Sequence, residues 1–252
     1  MKTGECWLLS PLLLLIALLV TGCAPSSNTL GWERSDGTLI VERAVAAHGG
    51  LERWRSFETV SFDYTEHWSP PFTWFGNNPW PRNDVVAHLK LWLHEARAEC
   101  TFLGDAAPSW IWRGGKVERA AGGAHPGGEW RPGFVIPRTH YLTLLPFKFL
   151  DEGARIEYIR GTDAEDRVLV SFAAGAGETP RDLYWVRFDH DSGRLTGLVL
   201  TVTAYGPLAV GDLSYEDYRE VQGLLMPTRI RARLNGAGLP LHVGEYRSIR
   251  FE

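Results

Sequence analysis

The chain has 252 residues, 44% hydrophobic and 12% aromatic, with 26 basic against 30 acidic side chains and a formal net charge of −4. That length and apolar content support a sizeable core, while so mild a charge balance offers no electrostatic footprint for nucleic acid. Its 3 cysteines, Cys6, Cys23 and Cys100, are too few for a disulfide scaffold.

The first element is an export signal over residues 1–22. Lys2 precedes an apolar run from Trp7 to Val20, which is shorter than the roughly 20 residues that span a hydrocarbon core about 30 Å thick. The run ends in Val20-Thr21-Gly22-Cys23, which resembles the bacterial lipobox. That resemblance implies diacylglyceryl transfer to Cys23, cleavage before it and acylation of the new amine, so the mature chain is tied to a membrane through Cys23. Several acyl chains, at roughly 0.8 kcal/mol per CH₂, make such an anchor nearly permanent. Ala24, where inner-membrane lipoproteins usually carry Asp, favours the outer membrane, facing the periplasm. Lys2 and Glu5 leave together, so the mature chain keeps the −4 charge, and loss of Cys6 with lipidation of Cys23 leaves no intramolecular disulfide.

Residues 23–35 read as the lipidated Cys and a polar linker, with coil expected from Ala24 to about Arg34. Residues 36–252 form one folded domain. Asp36-Gly37-Thr38 is a candidate helix cap before Leu39, Ile40, Arg43, Ala44, Ala47 and His48, with Gly49-Gly50 closing the helix and a short turn through Leu51 to Trp54. His48 is placed to bond the terminal carbonyls. From Val60 the period becomes two: Val60, Phe62, Tyr64 and Trp68 fall on one side, and Ser61, Asp63, Thr65 and His67 on the other.

Further strand-like runs cover Val85–His94, Arg97–Leu103, Ser109–Arg113, Lys116–Ala120, Arg155–Arg160, Arg167–Phe172, Leu183–Asp189, Leu195–Val202, Ser214–Val221, Met226–Leu234 and Leu241–Phe251. Gly114-Gly115, Asp191-Ser192-Gly193 and Gln222-Gly223 supply turns between neighbours. Such a succession predicts a mainly β fold with a few helices, as one curved antiparallel sheet or open barrel. In Met226–Leu234 the alternation places one apolar face against Arg229, Arg231 and Arg233. Pro137–Leu150 reads as a short helix and turn on the sheet, with Tyr141, Leu144 and Leu145 on one face. Ser69–Arg82 and Ala121–Gly133 read as loops.

Several stretches together resemble one family. Ala44-Val45-Ala46-Ala47-His48-Gly49-Gly50-Leu51-Glu52-Arg53-Trp54, the segment Tyr141 to Gly153, the run Glu178-Thr179-Pro180-Arg181-Asp182 leading into Leu183-Tyr184-Trp185-Val186, and Tyr218 to Pro227 are similar to bacterial envelope lipoproteins related to the lipoprotein-localisation factors. The resemblance spans about Leu39 to Glu252. It implies a half-open barrel of about eleven strands lidded by short helices, whose concave apolar side holds acyl chains. An anchored chain resembles the receptor of that superfamily in placement.

Enzyme signatures are sparse. His94-Glu95 begins a zinc-protease motif, but Ala98 stands where the second histidine belongs. His88 and His94 share a strand face roughly 20 Å apart, too far to chelate one metal, and Asp189-His190-Asp191 reads as a hairpin turn. No cofactor or metal is expected. All 11 tryptophans but Trp7 lie beyond the signal; Trp54, Trp92 and Trp185 are expected to fill the core, whereas Phe72, Trp74, Phe75 and Trp80 suit a cavity rim or a membrane-contacting tip. The candidate ligand-binding set is therefore Phe72, Trp74, Phe75, Trp80, Tyr141, Leu144 and Leu145. The favoured function is non-enzymatic binding of a lipid or acyl chain. A structural or assembly lipoprotein, and a hydrolase or sugar-binding protein using Asp63, Glu66 and Asp84, remain as alternatives. A continuous apolar cavity, a filled concave face and convergent carboxylates would respectively favour the three. Cys100 is expected to be a packed strand residue.

Overall fold

A computed structural model describes residues 27–70, 73, 78–103, 110–120, 130–173, 181–206, 208–234 and 238–252, with side chains from residue 37 onward. Twelve antiparallel strands form a single sheet: β1 (Thr59–Trp68), β2 (Val86–Trp92), β3 (Arg97–Phe102), β4 (Trp110–Arg113), β5 (Lys116–Arg119), β6 (Ala154–Ile159), β7 (Glu165–Phe172), β8 (Tyr184–Asp189), β9 (Leu195–Thr201), β10 (Val210–Val221), β11 (Leu224–Leu234) and β12 (Leu239–Phe251). Their spatial order is β5-β4-β3-β2-β1-β12-β11-β10-β9-β8-β7-β6. The chain thus starts at the middle of the sheet, runs out to one edge, crosses over, and returns hairpin by hairpin from the other edge until β12 pairs with β1. Short turns join neighbours such as β4 and β5 or β10 and β11, which cost little loop entropy to pair, whereas residues 69–85 separate β1 from β2. The β1–β12 pair closes the two halves, and its register slips between Ser61 and Asp63, a bulge of the kind that bends a strand.

Period-two patterning decides which face is buried. In β1, Val60, Phe62, Tyr64, Glu66 and Trp68 are all buried; in β8, Tyr184, Val186 and Phe188 are. Trp185 corrects the expectation of a core residue. It stands on the opposite parity from its buried neighbours and is 36% exposed. Trp54 does pack in the core and Cys100 is buried in β3, whereas Trp92, although buried, stands on the outward parity of β2 beside Lys90, covered by the Arg97 guanidinium at 3.7 Å from its ring centroid.

Among the described residues, three α-helices accompany the sheet: α1 (Ser27–Ala47), α2 (Leu51–Arg55) and α3 (Pro132–Thr143). The first starts earlier than the capping pattern predicts, so the stretch read as coil is helical from Ser27. Gly37 is interior to α1 rather than capping it. A side chain there would press on the backbone of Glu157 and Tyr158, so glycine lets the helix lie directly on β6. Arg43 then pairs with Asp166 of β7, which also accepts from His190 Nδ1 at 3.0 Å. At the end of α1, His48 Nδ1 donates to the Ala44 carbonyl at 2.7 Å, as its position predicted. Burial pushes the His48 imidazole down to about 4, against the raising effect of that carbonyl. Gly49, at φ +107, has no room for a side chain beside the Gly223 carbonyl, and Leu225 N–H donates to His48 O at 3.1 Å. The His-Gly-Gly sequence is therefore the joint between α1 and the β10–β11 turn. At the β8–β9 turn, Asp189 Oδ1 accepts from Ser192 N–H at 2.9 Å, as the hairpin reading requires.

The third helix supplies the crossover between the two meanders. It begins at Pro132, inside the stretch read as loop, and carries Pro137 in its interior. Proline at its first turn removes no helical bond, and the donor lost at Pro137 is compensated by tertiary contact. His140 Nε2 donates to Trp92 O at 2.7 Å, and Tyr215 OH donates to Leu142 O at 3.1 Å. Thr143 Oγ1 and Tyr246 OH are bonded at 3.1 Å. Val135, Ile136, Tyr141 and Leu142 are buried, so α3 lies within the concavity instead of resting on its outside.

Candidate functional site

The concave face is not filled. A partly open cavity of about 800 Å³ lies between α3 and the inner face of the sheet, within the general range of small-molecule sites. Phe134, Pro137, Tyr141 and Leu142 line it from the helix, and Tyr184, Leu200, Leu213, Ala232 and Leu241 line it from the strands. Most of this wall is apolar. Trp68, Val202, Leu234 and Leu241, which also line it, sit at one rim, where β1, β9 and β11 end and β12 begins. Strand pairing places the exposed Leu103, Leu183, Tyr205, Leu208 and Leu239 at that same rim.

One polar cluster interrupts the apolar wall. Glu66 occupies the inward parity of β1 between Tyr64 and Trp68 and is 1% exposed. Arg138, from α3, donates through Nη2 to both carboxylate oxygens at 2.8 Å. Tyr64 OH donates to Oε1 at 3.2 Å, and Trp80 Nε1 donates to Oε2. His242 Nδ1 lies 2.8 Å from Oε1, with its ring stacked on Trp68 at a centroid distance of 4.6 Å. Register explains how β12 reaches the site: Tyr64 faces Tyr246, Glu66 faces Gly244 and Trp68 faces His242. Gly244 lacks the side chain that would collide with the Tyr64 ring and hydroxyl, so the phenol can lie over the backbone and reach Glu66.

Burial alone would push the Glu66 carboxyl up, but Arg138 and His242 outweigh it and hold that carboxyl well below the usual carboxylate range. For the Tyr64 phenol, burial and then the Glu66 charge act together and raise it well above its ordinary value. Glu66 and Arg138 are consequently a charged pair, and Tyr64 is a neutral donor. Arg138 and His242 both line the cavity, whereas Glu66 sits behind them.

Among the residues predicted to bind ligand, Tyr141 is on the cavity wall. Leu144 and Leu145 are buried in the core beyond it, because α3 enters the concavity and carries them inward. Trp80 is 2% exposed, packed against Trp130 at 5.1 Å and Tyr64 at 5.7 Å, and it supports Glu66 instead of forming a rim. Phe72, Trp74, Phe75 and Cys23 lie outside the described residues. The three carboxylates named for a hydrolase do not converge: Asp63 faces His88 at 3.0 Å and Asp84 faces His67 at 2.6 Å, both exposed, while Glu66 points to the opposite side of the sheet. Sequence reading missed Arg138 and His242. The available signal was Glu66 itself, a charge on the apolar parity of β1, which calls for a buried partner.

No protein-family model matches the chain, and no curated protein matches it. Solved structures do. It is similar to a LolA-superfamily protein from Nitrosomonas europaea, with a TM-score of 0.51 and 11% identity over 86% of this chain and 93% of that one. A putative outer membrane lipoprotein-sorting protein domain from Vibrio parahaemolyticus follows, with a TM-score of 0.49 and 12% identity over 87% and 93% of the respective chains. A DUF1329 family protein from Desulfovibrio piger gives 0.42 and 10% over 86% and 93%. What is shared with the Nitrosomonas europaea protein is the fold, an open, curved antiparallel sheet.

Proposed function

We propose that this protein is a membrane-anchored, non-enzymatic envelope lipoprotein that holds an acyl chain between α3 and the concave face of its sheet. The observation that carries this reading is the cavity of about 800 Å³ with a largely apolar wall. A fold of this kind could equally well be filled by interdigitated side chains, which would favour a purely structural role. An acyl chain gains roughly 0.8 kcal/mol per buried CH₂, enough for useful affinity after ordering costs are subtracted. The exposed leucines at the cavity rim suit transfer from an apolar phase. Asp63, Glu66 and Asp84, the carboxylates considered for hydrolysis, do not converge.

The test is titration with a fluorescent fatty acid, comparing the parent with Ala232→Trp. Ala232 is 1% exposed on the cavity wall, so an indole there occupies the space an acyl chain would take. Binding is expected to saturate in the parent and to weaken about tenfold or more in the variant, with an unchanged circular dichroism spectrum. Absence of saturable binding by the parent would reject the ligand role in favour of the structural one.

Anchoring rests on Val20-Thr21-Gly22-Cys23, and Ala24 favours the outer membrane. Expressed in a bacterial host, the parent should carry the added mass of a diacylglyceryl group on Cys23 and fractionate with membranes, whereas Cys23→Ser should do neither. Equal mass additions and equal fractionation in the two would remove the anchor from the proposal.

A further inference from the structure

Resting on the acyl-cavity reading, we propose that Arg138 is the head-group anchor of this cavity and that the ligand is an acyl chain ending in a hydrogen-bond acceptor, a carboxylate or an acyl carbonyl. Donor and acceptor accounting at the cluster leads there. A guanidinium offers N–H groups from Nε, Nη1 and Nη2 and accepts nothing, while a carboxylate has about four lone-pair positions. Nη2 supplies both contacts to Glu66. The remaining capacity of Glu66 is taken up by Tyr64 OH, Trp80 Nε1 and the approach of His242 Nδ1. Among the described residues, Nε and Nη1 of Arg138 therefore have no acceptor. Its side chain retains 13% exposure at the cavity wall, so these donors meet whatever fills the space.

A second observation points the same way. Trp68 and Trp112 also line the cavity, are 5% and 2% exposed, and hold buried indole Nε1 groups without an acceptor among the described residues. Asp182 brings a carboxylate to the cavity, but its Oδ1 already accepts from Thr203 N–H at 2.8 Å. The polar complement beside Arg138 is thus rich in donors, with Asp182 the only carboxylate among the described lining residues. A ligand with a donor-only or cationic end would leave these groups unsatisfied and place like charge beside Arg138, whereas an acceptor oxygen satisfies them. Glu66, fully occupied behind the wall, positions the guanidinium without competing for the ligand.

Three ligands of equal chain length separate the possibilities. Dodecanoate, methyl dodecanoate and dodecylamine are each used to displace the fluorescent fatty acid from the full-length protein near pH 7.5. The parent should prefer dodecanoate over dodecylammonium by about tenfold or more, as charge-assisted hydrogen bonds imply. In the paired variant Glu66→Gln with Arg138→Gln, which leaves no uncompensated charge, that preference should shrink to within about threefold. Methyl dodecanoate tells the two acceptor sources apart: binding close to the acid identifies the acyl carbonyl of an esterified lipid, and much weaker binding identifies a free carboxylate. Equal displacement by acid and amine in the parent, or an undiminished preference in the paired variant, overturns the anchor while leaving the acyl cavity standing. Failure of the fluorescent acid to bind the parent at all defeats both. Should the paired variant not fold, Arg181→Gln, which removes the other arginine among the described lining residues, decides: the preference should persist there within about threefold, and its loss overturns the assignment to Arg138.

Discussion

Glu66→Leu is expected to destabilise the protein by about 3–5 kcal/mol, the range for breaking one side of a buried ion pair. The loss is not that of a single bond. Arg138 stays charged at any accessible pH and would be left in a mainly apolar cavity without its counterion, while Trp80 Nε1 and Tyr64 OH lose their acceptor. Glu66→Leu combined with Arg138→Met removes both charges and should recover most of the stability, since apolar replacement of a complete buried pair is often close to neutral. The folded-state carboxyl is held low, so its contribution is present above the unfolded value of about 4.3 and fades as pH falls through the folded value. The gap between parent and Glu66→Leu should hold from pH 8 to pH 6 and narrow only in strong acid. Urea denaturation midpoints of the three proteins at pH 7 and pH 3 measure this. A single variant as stable as the parent at pH 7 would mean that Arg138 finds adequate solvation in the cavity, and the cluster would lose its claim to be tightly coupled.

The sheet was legible because its information is local. Alternation assigns Val60, Phe62 and Tyr64 to one face and Ser61, Asp63 and Thr65 to the other, and glycine-bearing turns such as Gln222-Gly223 dictate hairpins between sequence neighbours. Pairing of β1 with β12 joins residues nearly the whole domain apart, and no local pattern encodes it. The cluster is non-local in the same way: Glu66, Arg138 and His242 come from a strand, the crossover helix and the last strand. Only the parity of Glu66 betrays it in the sequence. Gly37 and Pro137 misled because both are ordinary helix punctuation, yet one admits a close backbone approach and the other sits in a helix held by tertiary bonds. Trp185 misled for a different reason. Its size argued for burial, while its parity, opposite to Tyr184 and Val186, placed it outside.

Trp54→Ala should separate the architecture from the binding site. This residue closes the family-like Ala-His-Gly-Gly-Leu-Glu-Arg-Trp opening, and in the fold it caps the end of the barrel remote from the exposed rim. It is 4% exposed, stacked on Phe147 at 4.1 Å with ring planes 3° apart, and it meets Phe251 edge-on at 6.5 Å. Phe147 follows α3 directly and Phe251 ends β12, so one indole joins the helical crossover to the sheet. Removing it deletes a stacked pair and leaves a cavity that rigid neighbours cannot collapse, which sets the expected cost at about 3–5 kcal/mol. Trp54 does not line the cavity beneath α3. Affinity for the fluorescent fatty acid, measured well below the lowered melting temperature, should therefore stay within about twofold of the parent. The sequence feature that most strongly suggests the family would then serve stability, with ligand selection residing in Arg138 and the walls around it. A Trp54→Ala protein that melts close to the parent, or that folds fully yet no longer binds the probe, would contradict this division.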